Sequence, residues 1–176
     1  MKGMVGAVVL GSLLAMSAPE AAEAQTRGYL GIGGGVNMPI GDFKDGVKTG
    51  WLGQVVGGVT LSNGILGFRV DGSYGQNNFK GVDGKIKLIG VLGDVVVSPK
   101  MAGSLKPYVL AGAGMVNGKP EGEDGDTKFA WNAGAGLGFG SGKVGFYVEA
   151  RFLSVKTEGS SSNMIPITAG VRLGGK

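Results

Sequence analysis

Six charged side chains stand inside otherwise apolar or glycine-rich segments of the 176-residue chain, and they are the groups that could do chemistry: Arg69, Asp71, Asp94, Glu149, Arg151 and Arg172. Two carboxylates at a suitable separation can act as general acid and general base. The three acids here accompany arginines, however, and a carboxylate beside a guanidinium is more typical of an ion-pair network. We therefore expect a structural charge cluster in the protein interior.

The residues that the chain lacks narrow the chemistry further. The sequence contains no histidine and no cysteine. A Ser-His-Asp triad, a cysteine nucleophile, a histidine zinc site and a general-base histidine are therefore all excluded. We expect no catalytic residues, no cofactor and no metal site, and so a protein that is not an enzyme.

Two segments resemble ligand-binding motifs but lack a feature that each motif needs. Residues 140–145 (GSGKVG) fit G-x-G-x-x-G, but no helix follows, and we interpret the segment as a hairpin turn. The acidic segment 121–126 lacks the spacing of a calcium loop and is expected to be a solvated surface, with weak divalent-ion binding as an alternative. Lys80, Lys85 and Lys87 could meet lipid phosphates or lie free in solvent.

Alternating apolar and polar residues predict that β-strands position the charged groups. The pattern is clearest at 144–155, where alternate residues from Val144 to Phe152 are apolar and Glu149 and Arg151 stand between them. The charged face is expected to line the interior. The whole chain divides into eight such segments, at 27–38, 50–61, 65–76, 85–97, 107–116, 128–140, 144–155 and 164–173.

The connections between these segments suggest an orientation. Long polar segments (39–49, 77–84, 117–127 and 156–163) alternate with short ones (62–64, 98–106 and 141–143). Transmembrane barrels have short turns at one end and longer loops at the other. The predicted fold is therefore all-β: an eight-stranded antiparallel up-and-down transmembrane β-barrel with both termini on one side.

Residues 1–24 have the features of a cleaved secretory signal peptide. Lys2 precedes an apolar run from Met4 to Met16, and Ala22-Glu23-Ala24 forms a small-residue cleavage site. The run falls short of the ~20 residues that a transmembrane helix needs. We expect a single mature domain at 25–176. Its lysines are scattered without interleaved aromatic residues, so nucleic-acid binding is not expected.

Aromatic residues are expected to form two girdles at the lipid–water interfaces, where Trp and Tyr are enriched. If the first strand rises from the periplasm, one group falls near the outer rim and the other near the inner rim. The outer group is Trp51, Tyr74, Trp131 and Phe152, and the inner group is Tyr29, Tyr108, Phe139 and Phe146.

The mature chain resembles the small outer-membrane β-barrel domain proteins of the OmpA, OmpX and OmpW kind. The resemblance rests on the segments 28–31 (GYLG), 39–43 (PIGDF), 107–112 (PYVLAG) and 148–152 (VEARF). It implies the outer membrane of a Gram-negative-type bacterium, contact with outer-membrane lipids, and handling by periplasmic chaperones and the barrel-assembly machinery. Members usually end on an aromatic residue that the machinery reads, whereas this sequence ends Leu173-Gly174-Gly175-Lys176.

These observations favour a non-enzymatic outer-membrane barrel with a structural or surface-interaction role, which presents four extracellular loops. One alternative is a narrow pore or small-molecule conduit, because the many glycines could leave room in the lumen. A second is a soluble periplasmic lipocalin-like binding barrel, which would turn its apolar face inward.

Overall fold

The computed structural model describes residues 27–61, 64–140, 143–157 and 159–174, so the predicted signal peptide at 1–24 lies outside the described residues. Eight antiparallel strands pair in sequence order and close into a barrel through β1 and β8. The predicted fold is thus confirmed. The elements are β1 (Arg27–Ile40), α1 (Phe43–Gly46), β2 (Gly50–Thr60), β3 (Leu66–Asn78), β4 (Lys85–Val97), β5 (Leu105–Pro120), β6 (Asp126–Phe139), β7 (Val144–Thr157) and β8 (Ser160–Gly174).

The two faces of the wall differ in the way that strand alternation requires, because successive side chains point to opposite faces. On β7, Phe146 and Val148 are exposed on the outside, while Glu149 is 1% exposed on the inside. Large apolar side chains cover the outside of all eight strands, with Leu30 and Ile32 about two-thirds exposed. A soluble lipocalin-like barrel would have the opposite arrangement, so that alternative is wrong.

The connections correct one expectation. We call the end that carries 41–49, 79–84 and 121–125, where β7 also meets β8, the loop end, and we call the end at which β1 begins and β8 ends the terminal end. The predicted alternation of long and short connections is wrong: 98–104, at the terminal end, is longer than 121–125. β7 and β8 also remain paired as far as Thr157 and Ser160, so most of the predicted connection 156–163 belongs to the strands.

The reason for this difference is that polar segments continue the strands at the loop end. Residues 117–120 and 160–163 were predicted to be loops but lie in β5 and β8. Backbone pairing needs no apolar side chain once a strand has left the lipid, and both of its faces can then meet water. Among the described residues, no helix is long and apolar enough to cross a membrane.

Candidate functional site

The lumen holds a layer of charged side chains near its mid-height, contributed by three strands. Arg69 and Asp71 point inward from β3, Asp94 from β4, and Glu149 and Arg151 from β7, and all five are at most 5% exposed. Arg69 and Asp94 are direct partners in the β3–β4 ladder. Strands β3 and β7 are four apart in the ring of eight, so their inward side chains face each other across the lumen.

Arg69 links the two sides of the barrel. Its Nη1 donates to Glu149 Oε2 at 2.7 Å, and its Nη2 donates to Glu149 Oε1 at 3.2 Å. The same Nη2 donates to Asp94 Oδ2 at 3.2 Å. This fork-shaped contact between a guanidinium and a carboxylate is among the strong types of charge-assisted hydrogen bond. It ties β3 to β7 directly through the centre.

Arg151 completes the network from β7. Its Nη1 lies 3.2 Å and 3.1 Å from the two carboxylate oxygens of Asp71, and its Nε donates to Glu149 Oε1. Two guanidinium groups therefore face three carboxylates. We call these five residues the ionic layer.

Neutral donors supply further hydrogen bonds to the ionic layer. Tyr108 Oη donates to Glu149 Oε2 at 2.8 Å, and Asn132 Nδ2 donates to Asp94 Oδ1 at 2.7 Å. Beside the layer, Gln54 Nε2 donates to Tyr147 Oη at 3.0 Å and to Thr168 Oγ1 at 3.2 Å. Asn132 and Gln54 were missed in the sequence. The alternation of side chains along the strand could have identified Asn132, since it follows the outward-facing Trp131 and must point inward.

Arg172, the sixth charged residue, lies apart from the ionic layer. Its Cζ is 5.9 Å from the centroid of the Tyr29 ring, on the terminal-end side of the lumen. No ion pair joins Arg172 to an acidic side chain among the described residues. A small space below the layer is lined by Tyr29, Val56, Arg69, Val96, Tyr108, Tyr147 and Arg172.

The aromatic residues divide between the lipid face and the lumen. Trp51 and Tyr74 form an outward pair with centroids 5.6 Å apart, and Trp131 and Phe152 form another at 5.3 Å. Phe139 and Phe146 stack at 6.0 Å near the terminal end.

The prediction that Tyr29 and Tyr108 belong to a lipid-facing girdle is wrong, since both rings line the lumen. Inward-facing glycines make room for these rings. A Cβ added at Gly136 would overlap the Tyr108 ring, and one at Gly58 would lie 2.6 Å from the Tyr29 ring. The missing side chains thus let the tyrosines lie against the wall.

A second layer fills the lumen on the loop-end side of the charges. It consists of buried apolar side chains, and Phe43 of α1, Leu88 and Leu153 pack against it. We call it the apolar layer: Leu92, Val116, Ala130, Val155 and Met164.

The connection 41–49 folds over the opening above the apolar layer. Val47 is buried and forms an isolated bridge with Phe79, just beyond β3. Lys48 N donates to Asn78 O and Lys80 N to Gly46 O, both at 2.8 Å. Asn77 Nδ2 fixes the same segment by donating to Lys48 O at 2.8 Å. The loop end of the lumen is therefore covered.

This arrangement holds strands together through the ionic layer. Each carboxylate of the ionic layer accepts hydrogen bonds from arginine, and two of the three also accept from neutral side chains. The described residues contain no group of three or more acidic side chains placed to hold a metal ion.

Comparisons with known proteins agree with this geometry. The profile of the family described as "Outer membrane protein beta-barrel domain" matches residues 8–174. Among solved structures, Neisserial surface protein A superposes with a TM-score of 0.69 at 16% identity, over 83% of this chain and 96% of that chain.

Two further solved structures show the same fold. Ail, the attachment invasion locus protein of Yersinia pestis, gives a TM-score of 0.55 at 20% identity, over 85% of this chain and 99% of that one. A major outer membrane protein from Thermus thermophilus gives 0.60 at 11% identity, with the same two coverages. No curated protein matches the sequence significantly. Because the profile match spans nearly the whole chain, the protein belongs to the outer membrane protein beta-barrel domain family.

Proposed function

We propose that this protein is a non-enzymatic outer-membrane barrel with a structural or surface-interaction role. Lipid holds the apolar outer wall, and the loop end faces the outside of the cell. The single observation that carries this proposal is the filled lumen: an ionic layer and an apolar layer cross it one above the other. A barrel closed in this way offers its loop end as the surface for other molecules.

The filled lumen also argues against the conduit alternative. An eight-stranded barrel normally leaves an interior just wide enough for side chains. Here the Arg69–Glu149 contact spans that interior, and 41–49 covers the opening. A solute would have to displace both layers and the covering segment.

The surface offered at the loop end differs from the four long loops expected from the sequence. It consists of 41–49 with α1, the connections 79–84 and 121–125, and the polar extensions of β5 and β8. A rigid strand extension loses less conformational entropy on binding a partner than a flexible loop does. The role proposed here is therefore presentation of a largely preformed surface.

The experiment is epitope insertion at both ends of the barrel, because exposed connections accept insertions better than paired backbone. An epitope after Gly125 should preserve folding and bind antibody on intact cells. The matched insertion after Gly103, in the terminal-end connection 98–104, should bind antibody only after permeabilisation. An insertion after Val148, inside β7, should abolish the folded form.

The reverse pattern would show that the loop end faces the periplasm. Recovery of the protein wholly in the soluble periplasmic fraction would contradict the membrane location, and an exported protein that still carries residues 1–24 would contradict cleavage of the signal peptide.

A further inference from the structure

Two lysines stand directly opposite each other on the outside of the barrel. Lys87 of β4 and Lys119 of β5 are partners in the antiparallel ladder, and both side chains are exposed. Like charges in this position destabilise a sheet. Within the part of the chain that the structure describes, neither lysine has an acidic side chain at ion-pair distance. The nearest ion pair joins Lys85 to Glu121 at 3.9 Å. It lies at the next outward-facing position of the two strands, further from the lipid than Lys87 and Lys119.

The height of the two lysines is fixed by their neighbours. Ile89 pairs with Tyr74, which belongs to the outward aromatic pair with Trp51. Lys87 occupies the next outward position beyond Ile89, which is ~7 Å further along the strand at ~3.4 Å per residue. Ile89 is 53% exposed on the lipid-facing wall. The lysine ammonium groups therefore lie just above the aromatic girdle, at the depth of lipid headgroups.

The surface around the lysines is concave and rich in donors. Lys85, Lys87 and Lys119 line a shallow depression with Pro120, Glu121 and Gly122. Gln76 is the ladder partner of Lys87 on β3 and carries an amide on the same face of the sheet. Lysine binds phosphate as a compact point charge with three donors. A phosphate group between Lys87 and Lys119 would convert their repulsion into attraction to a shared anion.

We propose that Lys87 and Lys119, assisted by Lys85, bind the phosphate of a membrane-lipid headgroup in the leaflet at the loop end. A lipid is favoured over a soluble anion because the depression opens sideways on the wall, directly above exposed apolar side chains. The site ties the β4–β5 hairpin to the membrane surface.

The test compares stability in two bilayers. The protein is refolded into nanodiscs of phosphatidylcholine alone, or of phosphatidylcholine with phosphatidic acid as one lipid in five, and the urea midpoint is measured at low salt, because a charged denaturant would screen the contact. Phosphatidic acid should raise the wild-type midpoint by roughly 0.5 M. The double variant K87Q/K119Q should gain less than half as much. In phosphatidylcholine alone it should be at least as stable as the wild type, because a repulsion has been removed.

The matched control is K44Q/K80Q, which neutralises two exposed lysines in the connections 41–49 and 79–84. This variant should keep the full gain from phosphatidic acid. An equal gain in K87Q/K119Q and the control would overturn the site, since it would reflect general surface charge. Stabilisation of micellar protein by inorganic phosphate or sucrose octasulfate, lost in K87Q/K119Q, would overturn the lipid as occupant.

Discussion

The ionic layer and the apolar layer close the same lumen by different physical means. In the ionic layer, five charged side chains bind one another across the barrel through directed hydrogen bonds. In the apolar layer, side chains from β4 to β8 meet without polar contacts of comparable strength, apart from the bond between Asn37 and Met164 Sδ. One layer depends on charge balance and geometry, and the other on filled volume.

This difference determines how each layer responds to damage. A buried charge is tolerated only while its partners remain, so removing one charge destabilises those left behind. An apolar side chain contributes its own transfer free energy and the cavity that its loss leaves. In the ionic layer, the losses in free energy of unfolding from single substitutions should therefore depend strongly on one another. In the apolar layer, each loss should depend mainly on the volume removed. The following three experiments test that contrast.

The largest effect is expected from Arg69→Met. The substitution leaves Arg151 alone against three buried carboxylates and should reduce the free energy of unfolding by roughly 3–5 kcal/mol. Adding Glu149→Leu removes one of those carboxylates. The double variant should therefore be more stable than Arg69→Met alone, and its loss should be well below the sum of the single losses. Denaturant midpoints of the refolded protein in detergent measure all three variants.

The control for that experiment is Arg172→Met, which removes an inward arginine outside the ionic layer. We expect a clearly smaller loss, because Arg172 lies against Tyr29 without an acidic partner among the described residues. Strictly additive losses for Arg69→Met and Glu149→Leu would show that the two side chains do not interact.

An intermediate effect is expected in the apolar layer from Leu92→Ala. Leu92 is 4% exposed, and the cavity should reduce the free energy of unfolding by roughly 2–4 kcal/mol. The volume-conserving Leu92→Met should lose less than about 1.5 kcal/mol. The same denaturant midpoints compare the two. A loss in Leu92→Met as large as that in Leu92→Ala would mean that this layer, too, depends on specific geometry.

The smallest loss of stability is expected from a substitution in the barrel wall that contacts a partner of the ionic layer. Gly136→Ala places a methyl group against the Tyr108 ring, which donates to Glu149, and should reduce the free energy of unfolding by about 1–3 kcal/mol. The control Gly53→Ala adds the same methyl group where the nearest atom, Gly33 O, is 3.9 Å away. Thermal or denaturant unfolding should show little change there. Equal losses at the two positions would show that contact with the Tyr108 ring is not the cause of the loss at Gly136.

The parts of the structure that could be predicted from sequence follow from the two-residue period of a strand. Between Val144 and Phe152 of β7, apolar residues alternate with small, polar or charged ones, so both the strand and the inward direction of Glu149 and Arg151 follow directly. The bounds of β4 agree with the predicted segment 85–97. Asn132 was also within reach by the same alternation.

Other features could not be predicted because local patterns leave them open. On β5 both faces are apolar or small, so nothing local decides whether Tyr108 faces lipid or lumen. The partner of Glu149 depends on barrel shear, which no single strand reveals; Arg69 and Arg172 were both possible. Polar residues at 160–163 look like a loop because strand pairing beyond the membrane leaves no hydrophobic signature.

The central claim is that the lumen is closed, and single-channel recording in planar bilayers tests it most directly. Barrel insertion is verified beforehand by antibody binding to the epitope after Gly125, and a porin of known conductance serves as the positive control. We expect no discrete conductance steps from the inserted protein, because both layers and the segment 41–49 block the path. Reproducible steps from the inserted protein, whose barrel strands are unchanged, would contradict the closed barrel and favour the conduit.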